Sequence, residues 1–136
     1  VSSILDKDKM ATSPEGMQFG TVAVRTAEGF ATTGRGKREA DEVSFVLGVD
    51  HRERMIKARG HKATLNAPLL DWIFTHNPEA YTVEHYHLSP EDIFPLPVQP
   101  WAPPGTVRDT ERDVSTSFYI KDHGCVVIRD ENGQRL

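Results

Sequence analysis

The 136-residue chain has a single cysteine, Cys125, so no internal disulfide can form, and no stretch approaches the roughly 18 consecutive apolar residues of a membrane-spanning helix. It also lacks an excess of positive charge. Sixteen Lys and Arg against 20 Asp and Glu leave a formal net charge of −4, which supplies no broad attraction for a nucleic acid backbone or an anionic membrane. The first residues carry neither the charged start nor the apolar run of a secretion signal. The expectation is a soluble protein of the reducing cytoplasm, with neither nucleic acid nor membrane as partner. This length suits one domain with a core of its own.

Residues 1–18 mix charge, Ser, Pro and Gly without an apolar period, and read as a poorly packed leader ahead of a domain over 19–136. Short runs rich in Val, Thr and Phe at 19–26, 29–33 and 43–49 read as strands, and 52–58 is a weaker candidate. The step Ala27-Glu28-Gly29 suits a hairpin, and Val49-Asp50-His51-Arg52 suits another turn. At 67–76, Leu69, Leu70, Ile73 and Phe74 recur at helical spacing. Pro68 stands near the start, Thr64 or Asn66 is available as a cap, and Asn77-Pro78 is a stop. A strand over 81–87 follows. The next stretch, LSPEDIFPLPVQPWAPPGT, holds six of the nine prolines, so it reads as an ordered loop or linker rather than a central strand. A short polar helix is expected over 106–116, then strands at 117–121 and 124–129, with Glu131-Asn132-Gly133 as a closing turn.

His85 and His87 are two apart on a predicted strand, where alternate side chains share a face. His123 lies in Asp122-His123-Gly124, where the glycine permits a tight turn. Three histidines with a fourth position open form the ligand set of a catalytic zinc. Ordinary strand-surface histidines are the alternative reading. His51 and His61 read as solvated groups and His76 as a partner for helix-end carbonyls, none with a functional role. The spacing His85-x-His87 followed by Glu91 also partly resembles the cupin metal motif, although Glu79 and Val98 stand where that motif has glycines.

Residues 20–130 resemble the class II aldolase/adducin family in several stretches that occur in the family's order. Gly20-Thr21-Val22-Ala23-Val24-Arg25 is similar to its G-N-x-S-x-R strand, and Gly29 to Lys37 (GFATTGRGK) to its G-F-x-x-T-P-S-G turn. Lys62 to Leu69 (KATLNAPL) stands where the family reads K-P-S-S-E-x-P-L. Asn77-Pro78 and Val83-Glu84-His85-Tyr86-His87 are similar to the helix end and metal strand, Pro100 to Thr106 (PWAPPGT) to the aromatic-A-P-P-G-T loop, and Asp122-His123-Gly124 to the third-ligand step.

The resemblance implies a mixed α/β layered domain with a mainly antiparallel central sheet flanked by helices, and a homo-oligomer. It also implies zinc or another divalent metal on His85, His87 and His123. The implied activity is that of a lyase or epimerase on a small sugar-phosphate-like or keto-acid anion, through a zinc-stabilised enediolate. Thr33, Arg35, Gly36, Thr64 and Asn66 become its substrate-binding candidates, with a basic surface turn as the alternative reading for the Arg35 region. Asn66 occupies the place of the family's usual glutamate, so the proton-transfer residue is unassigned: an amide cannot accept a proton as a carboxylate does. Glu84 is expected to face away from the metal, and Asp71 to be an exposed acid. Asn66 either orients a substrate oxygen or caps the helix. The family's flanking helices have no counterpart at either end, so a fragment or an abridged member is expected. A non-catalytic adducin-like binding or assembly module is the alternative to an enzyme.

Overall fold

The computed structural model describes residues 21–33, 43–53, 55–60, 66–86 and 95–136. Eight strands occur among them: β1 (Thr21–Arg25), β2 (Phe30–Thr33), β3 (Val43–Asp50), β4 (Met55–Gly60), β5 (Thr82–Tyr86), β6 (Val98–Gln99), β7 (Phe118–Ile120) and β8 (Gly124–Arg129). Helix α1 (Ala67–His76) lies between β4 and β5, and α2 (Val107–Thr110) between β6 and β7. The strands form one sheet in the order β4-β3-β2-β1-β5-β8-β7-β6, antiparallel throughout except between β6 and β7. The class is mixed α/β with a mainly antiparallel sheet, and helix is sparse among the described residues.

The β1–β2 hairpin closes as the sequence predicts. Thr26 N–H donates to the Gly29 carbonyl at 2.9 Å, and Gly29 N–H donates to the Thr26 hydroxyl at 3.1 Å. Glycine is required here for space, because a Cβ at position 29 would overlap the carbonyl oxygen of Val46 on the neighbouring strand. That obstacle is backbone and cannot swing aside, so Gly29→Ala is expected to destabilise the fold by about 3 kcal/mol. Equilibrium urea denaturation will measure this, and an unchanged midpoint would show that β3 yields freely. At the β3–β4 turn, the Asp50 carboxylate accepts from the N–H groups of Arg52 (3.1 Å) and Glu53 (3.0 Å), a local substitute for strand pairing.

Helix α1 runs over the span that its spacing predicts, and buries Ala67, Leu69, Leu70, Ile73 and Phe74. These pack on the sheet face that carries Ala23, Phe30, Val46, Val83, Phe118, Ile120, Val126 and Ile128. Each such aliphatic or aromatic burial contributes roughly 1.5–3 kcal/mol. Phe30 and Phe74 meet with ring centres 5.3 Å apart. The helix ends on Arg25, whose guanidinium donates to the carbonyls of Phe74 (2.8 Å), Asn77 (3.0 Å) and Ala80 (2.8 Å), placing a cation at the negative end of the helix. Central strands β1 and β8 are buried on both faces, Val22, Cys125 and Val127 included, which explains why TVAV and GCVVI show no apolar–polar alternation. Edge strand β4 is exposed along its length and carries Lys57 and Arg59, charges that discourage pairing with another chain.

Candidate metal and substrate site

Two of the three predicted histidines meet at one end of the sheet. His85 is the fourth residue of β5, buried, in register with Thr21 of β1 and Val126 of β8. It shares its face with Val83, and therefore lies on the side covered by α1. His123 occupies the β7–β8 turn. Asp122 takes a left-handed φ of 57°, His123 N–H donates to the Ile120 carbonyl at 3.0 Å, and Gly124 follows at φ 128°, a value that a residue with a Cβ adopts only with strain. The turn lays the His123 ring over that of His85, with centres 5.5 Å apart and planes 29° from parallel.

The hydrogen bonding of His85 determines its chemistry. Its Nδ1 lies 3.1 Å from the Cys125 carbonyl oxygen. A carbonyl only accepts, so Nδ1 carries the proton and Nε2 keeps the lone pair, the tautomer of a metal-ligating imidazole held by an outer partner. Two imidazoles that share one zinc through bonds of about 2.1 Å at near-tetrahedral angles hold their ring centres roughly 5–5.5 Å apart. The observed separation of the ring centres, 5.5 Å, falls at the upper end of that range, although the near-parallel planes do not by themselves aim both lone pairs at one point. His87, Arg35, Gly36 and Thr64 lie outside the described residues. Thr33 ends β2, opposite Val43. Asn66 occupies the N-cap position of α1 in a helical conformation (φ −84°, ψ −1°) and makes no side-chain capping bond, so helix capping does not account for its side chain.

Glu84 and Asp71 are engaged elsewhere. Glu84 points to the opposite face, as strand alternation predicts, and accepts from Arg129 Nε at 2.8 Å in a buried pair. Cys125 is fully buried, and burial together with the Glu84 charge pushes its thiol up to about 12, which keeps it protonated. Asp71 is half-buried rather than freely exposed, and its carboxylate lies 2.9 Å from His51 Nε2. His76 stacks on Trp72 at 3.7 Å, with Nδ1 3.0 Å from the Trp72 carbonyl.

Beside His123 the proline-rich segment forms a wall. Trp101 is half exposed, with its ring centre 6.4 Å from that of His123. An open groove of about 540 Å³ is lined, among the described residues, by Pro100, Trp101, Lys121, Asp122 and His123. Arg112, which the sequence reading did not single out, holds the wall from beneath: it is buried and donates to the carbonyls of Pro100 (2.6 Å) and Asp109 (2.7 Å). Asp109 in turn accepts from the Gly105 N–H at 3.1 Å. The i,i+3 spacing of Asp109 and Arg112 was the available sign of this staple.

No family model and no curated relative matches the sequence. The fold is similar to that of YgbL from Klebsiella pneumoniae, a candidate aldolase/epimerase/decarboxylase, with a TM-score of 0.57 and 17% identity over 81% of this chain and 67% of that one. YgbL from Escherichia coli gives a TM-score of 0.59 and 17% identity, with the same coverage. L-fuculose-1-phosphate aldolase from Thermus thermophilus gives 0.54 and 20% identity, over 82% of this chain and 68% of that one. At such identities the likeness is one of fold alone.

Proposed function

We propose that the chain is a metal-dependent enzyme of the lyase or epimerase type, acting on a small oxygenated anion, with His85, His87 and His123 as the ligands of a zinc or similar divalent ion. One observation supports the reading: the His85 and His123 ring centres lie 5.5 Å apart, and the Cys125 carbonyl accepts from His85 Nδ1, which leaves Nε2 of the neutral ring for a metal. A divalent ion there would act as a Lewis acid on adjacent hydroxyl and carbonyl oxygens of the substrate. The protein's own part is orientation. His85 is held by the β5–β8 register and His123 by its tight turn, while the Asn66 amide suits a hydrogen bond to a substrate oxygen but cannot take up its proton. Anion recognition falls to Thr33, Arg35, Gly36 and Thr64. A single domain over 19–136, a homo-oligomer and a cytoplasmic setting belong to the same proposal.

The amide at position 66 favours a second reading, a non-catalytic binding or assembly module on the same framework. Screening aldol cleavage, epimerisation and dehydration against sugar phosphates and keto acids separates the two. The expected result is turnover that a chelator abolishes and added zinc restores. Metal binding without any turnover would favour the module, and a chain that binds no divalent metal would remove the enzymatic reading.

A further inference from the structure

Trp101 leaves much of a large apolar ring in contact with water, 49% exposed, at the rim of the candidate metal site. Its position is nevertheless tightly held. Tyr119 N–H donates to the Pro97 carbonyl at 2.8 Å and Lys121 N–H to the Gln99 carbonyl at 2.9 Å, which ties the two walls of the cleft together, and Arg112 grips the Pro100 carbonyl. Backbone fixed this way holds the base of the indole beside His123, where its face is available to whatever enters. The open groove of about 540 Å³ beside the histidines leaves room, beyond a three- or four-carbon fragment, for a substituent that lies along its wall. Among the described residues its charged side chains, Lys121 and Asp122, are both exposed and of opposite sign, so these two together give a second phosphate on the remote end of a substrate no net attraction.

We infer that Trp101 is a specificity-determining residue: the part of the substrate remote from the metal carries an uncharged, flat apolar group, such as an aromatic ring, that stacks on the indole between Pro100 and His123. The inference rests on the metal reading above and narrows its substrate class to keto acids with an apolar substituent. Calorimetric titration of the zinc-loaded protein with phenylpyruvate and with pyruvate, which share the keto-acid head and differ in the ring, provides the test. Phenylpyruvate is expected to bind about 10-fold tighter. In Trp101→Ala that advantage should fall below about 3-fold while pyruvate affinity stays unchanged, and in Trp101→Phe most of the advantage should persist. A structural role alone would weaken both ligands together. If zinc is bound and phenylpyruvate gains nothing over pyruvate, or if Trp101→Ala retains the gain, the Trp101 inference falls by itself. A protein that retains no zinc, measured by metal analysis before titration, defeats the metal reading and this inference with it.

Discussion

Arg129→Ala is expected to cost about 3–5 kcal/mol of unfolding free energy, read as a large drop in the urea midpoint. The cause is the carboxylate left behind. Glu84 is 5% exposed and Arg129 7%, and the Nε–H of the arginine reaches Glu84 Oε1 at 2.8 Å across the β5–β8 pair. Removing the guanidinium leaves Glu84 charged in a medium that solvates it poorly, and it also removes the donor to the Gly133 carbonyl at 3.1 Å that holds the closing turn. For a domain whose total stability is of the order of 5–15 kcal/mol, this is a large share. The pair as a unit contributes much less, because bringing both charges out of water offsets most of their attraction. Glu84→Leu combined with Arg129→Met should therefore recover much of the loss. A double variant no more stable than Arg129→Ala would show that the pair itself, rather than the charge left behind, carries the energy.

The second large effect concerns the histidines. His85→Ala and His123→Ala are each expected to weaken zinc binding by at least roughly 100-fold, more than the 10–100-fold typical of a change to an outer partner. Competition against a chromogenic chelator at fixed pH will measure it. His51→Ala serves as the control, since His51 is engaged with Asp71 at the β3–β4 turn, and should leave zinc affinity unchanged. Equal losses in all three variants would indicate nonspecific binding and overturn the assignment. Circular dichroism must accompany the His85 variant, because that ring is buried within the sheet.

The elements read most easily from the sequence were those whose local and tertiary preferences agree. Helix α1 has apolar residues at helical spacing, a proline near its start and Asn77-Pro78 at its end, and every one of these signals survives into the packed molecule. Strand β8 is a short run of β-branched and apolar residues closed by charge. The expected helix over 106–116 shrinks to the four residues of α2. The Thr106 hydroxyl starts it by accepting from Asp109 N–H, but Arg112 then turns away to bind the Pro100 carbonyl, a long-range attraction invisible to local periodicity. Strand β6 hides among prolines, which argue against a central strand but not against an edge. A proline lacks the N–H yet keeps its carbonyl, and the Pro97 carbonyl accepts from Tyr119. Strand β4 is weak in sequence because it is exposed throughout and has no buried face to impose alternation.

The candidate site was legible only in part, for a similar reason. His85-x-His87 on a strand and His123 before a glycine are local features. The meeting of His85 with His123 depends on β5 lying beside β8, and no spacing along the chain sets that adjacency. The position of Trp101 beside His123 was harder still to foresee, because the wall it stands on is built by backbone pairing between segments distant in the chain. The geometry of Asn66 argues against simple capping, whereas sequence alone left capping and substrate orientation equally open.

The acceptor that orients the His85 imidazole is a main-chain oxygen rather than an aspartate or glutamate of the usual outer shell. No amino-acid exchange at position 125 can delete it, so that residue is free to drift among small buried side chains without losing the tautomer. The vulnerability moves to strand alignment: a slip of one residue between β5 and β8 would withdraw the acceptor and turn the ring to the other side, with His85 itself unchanged.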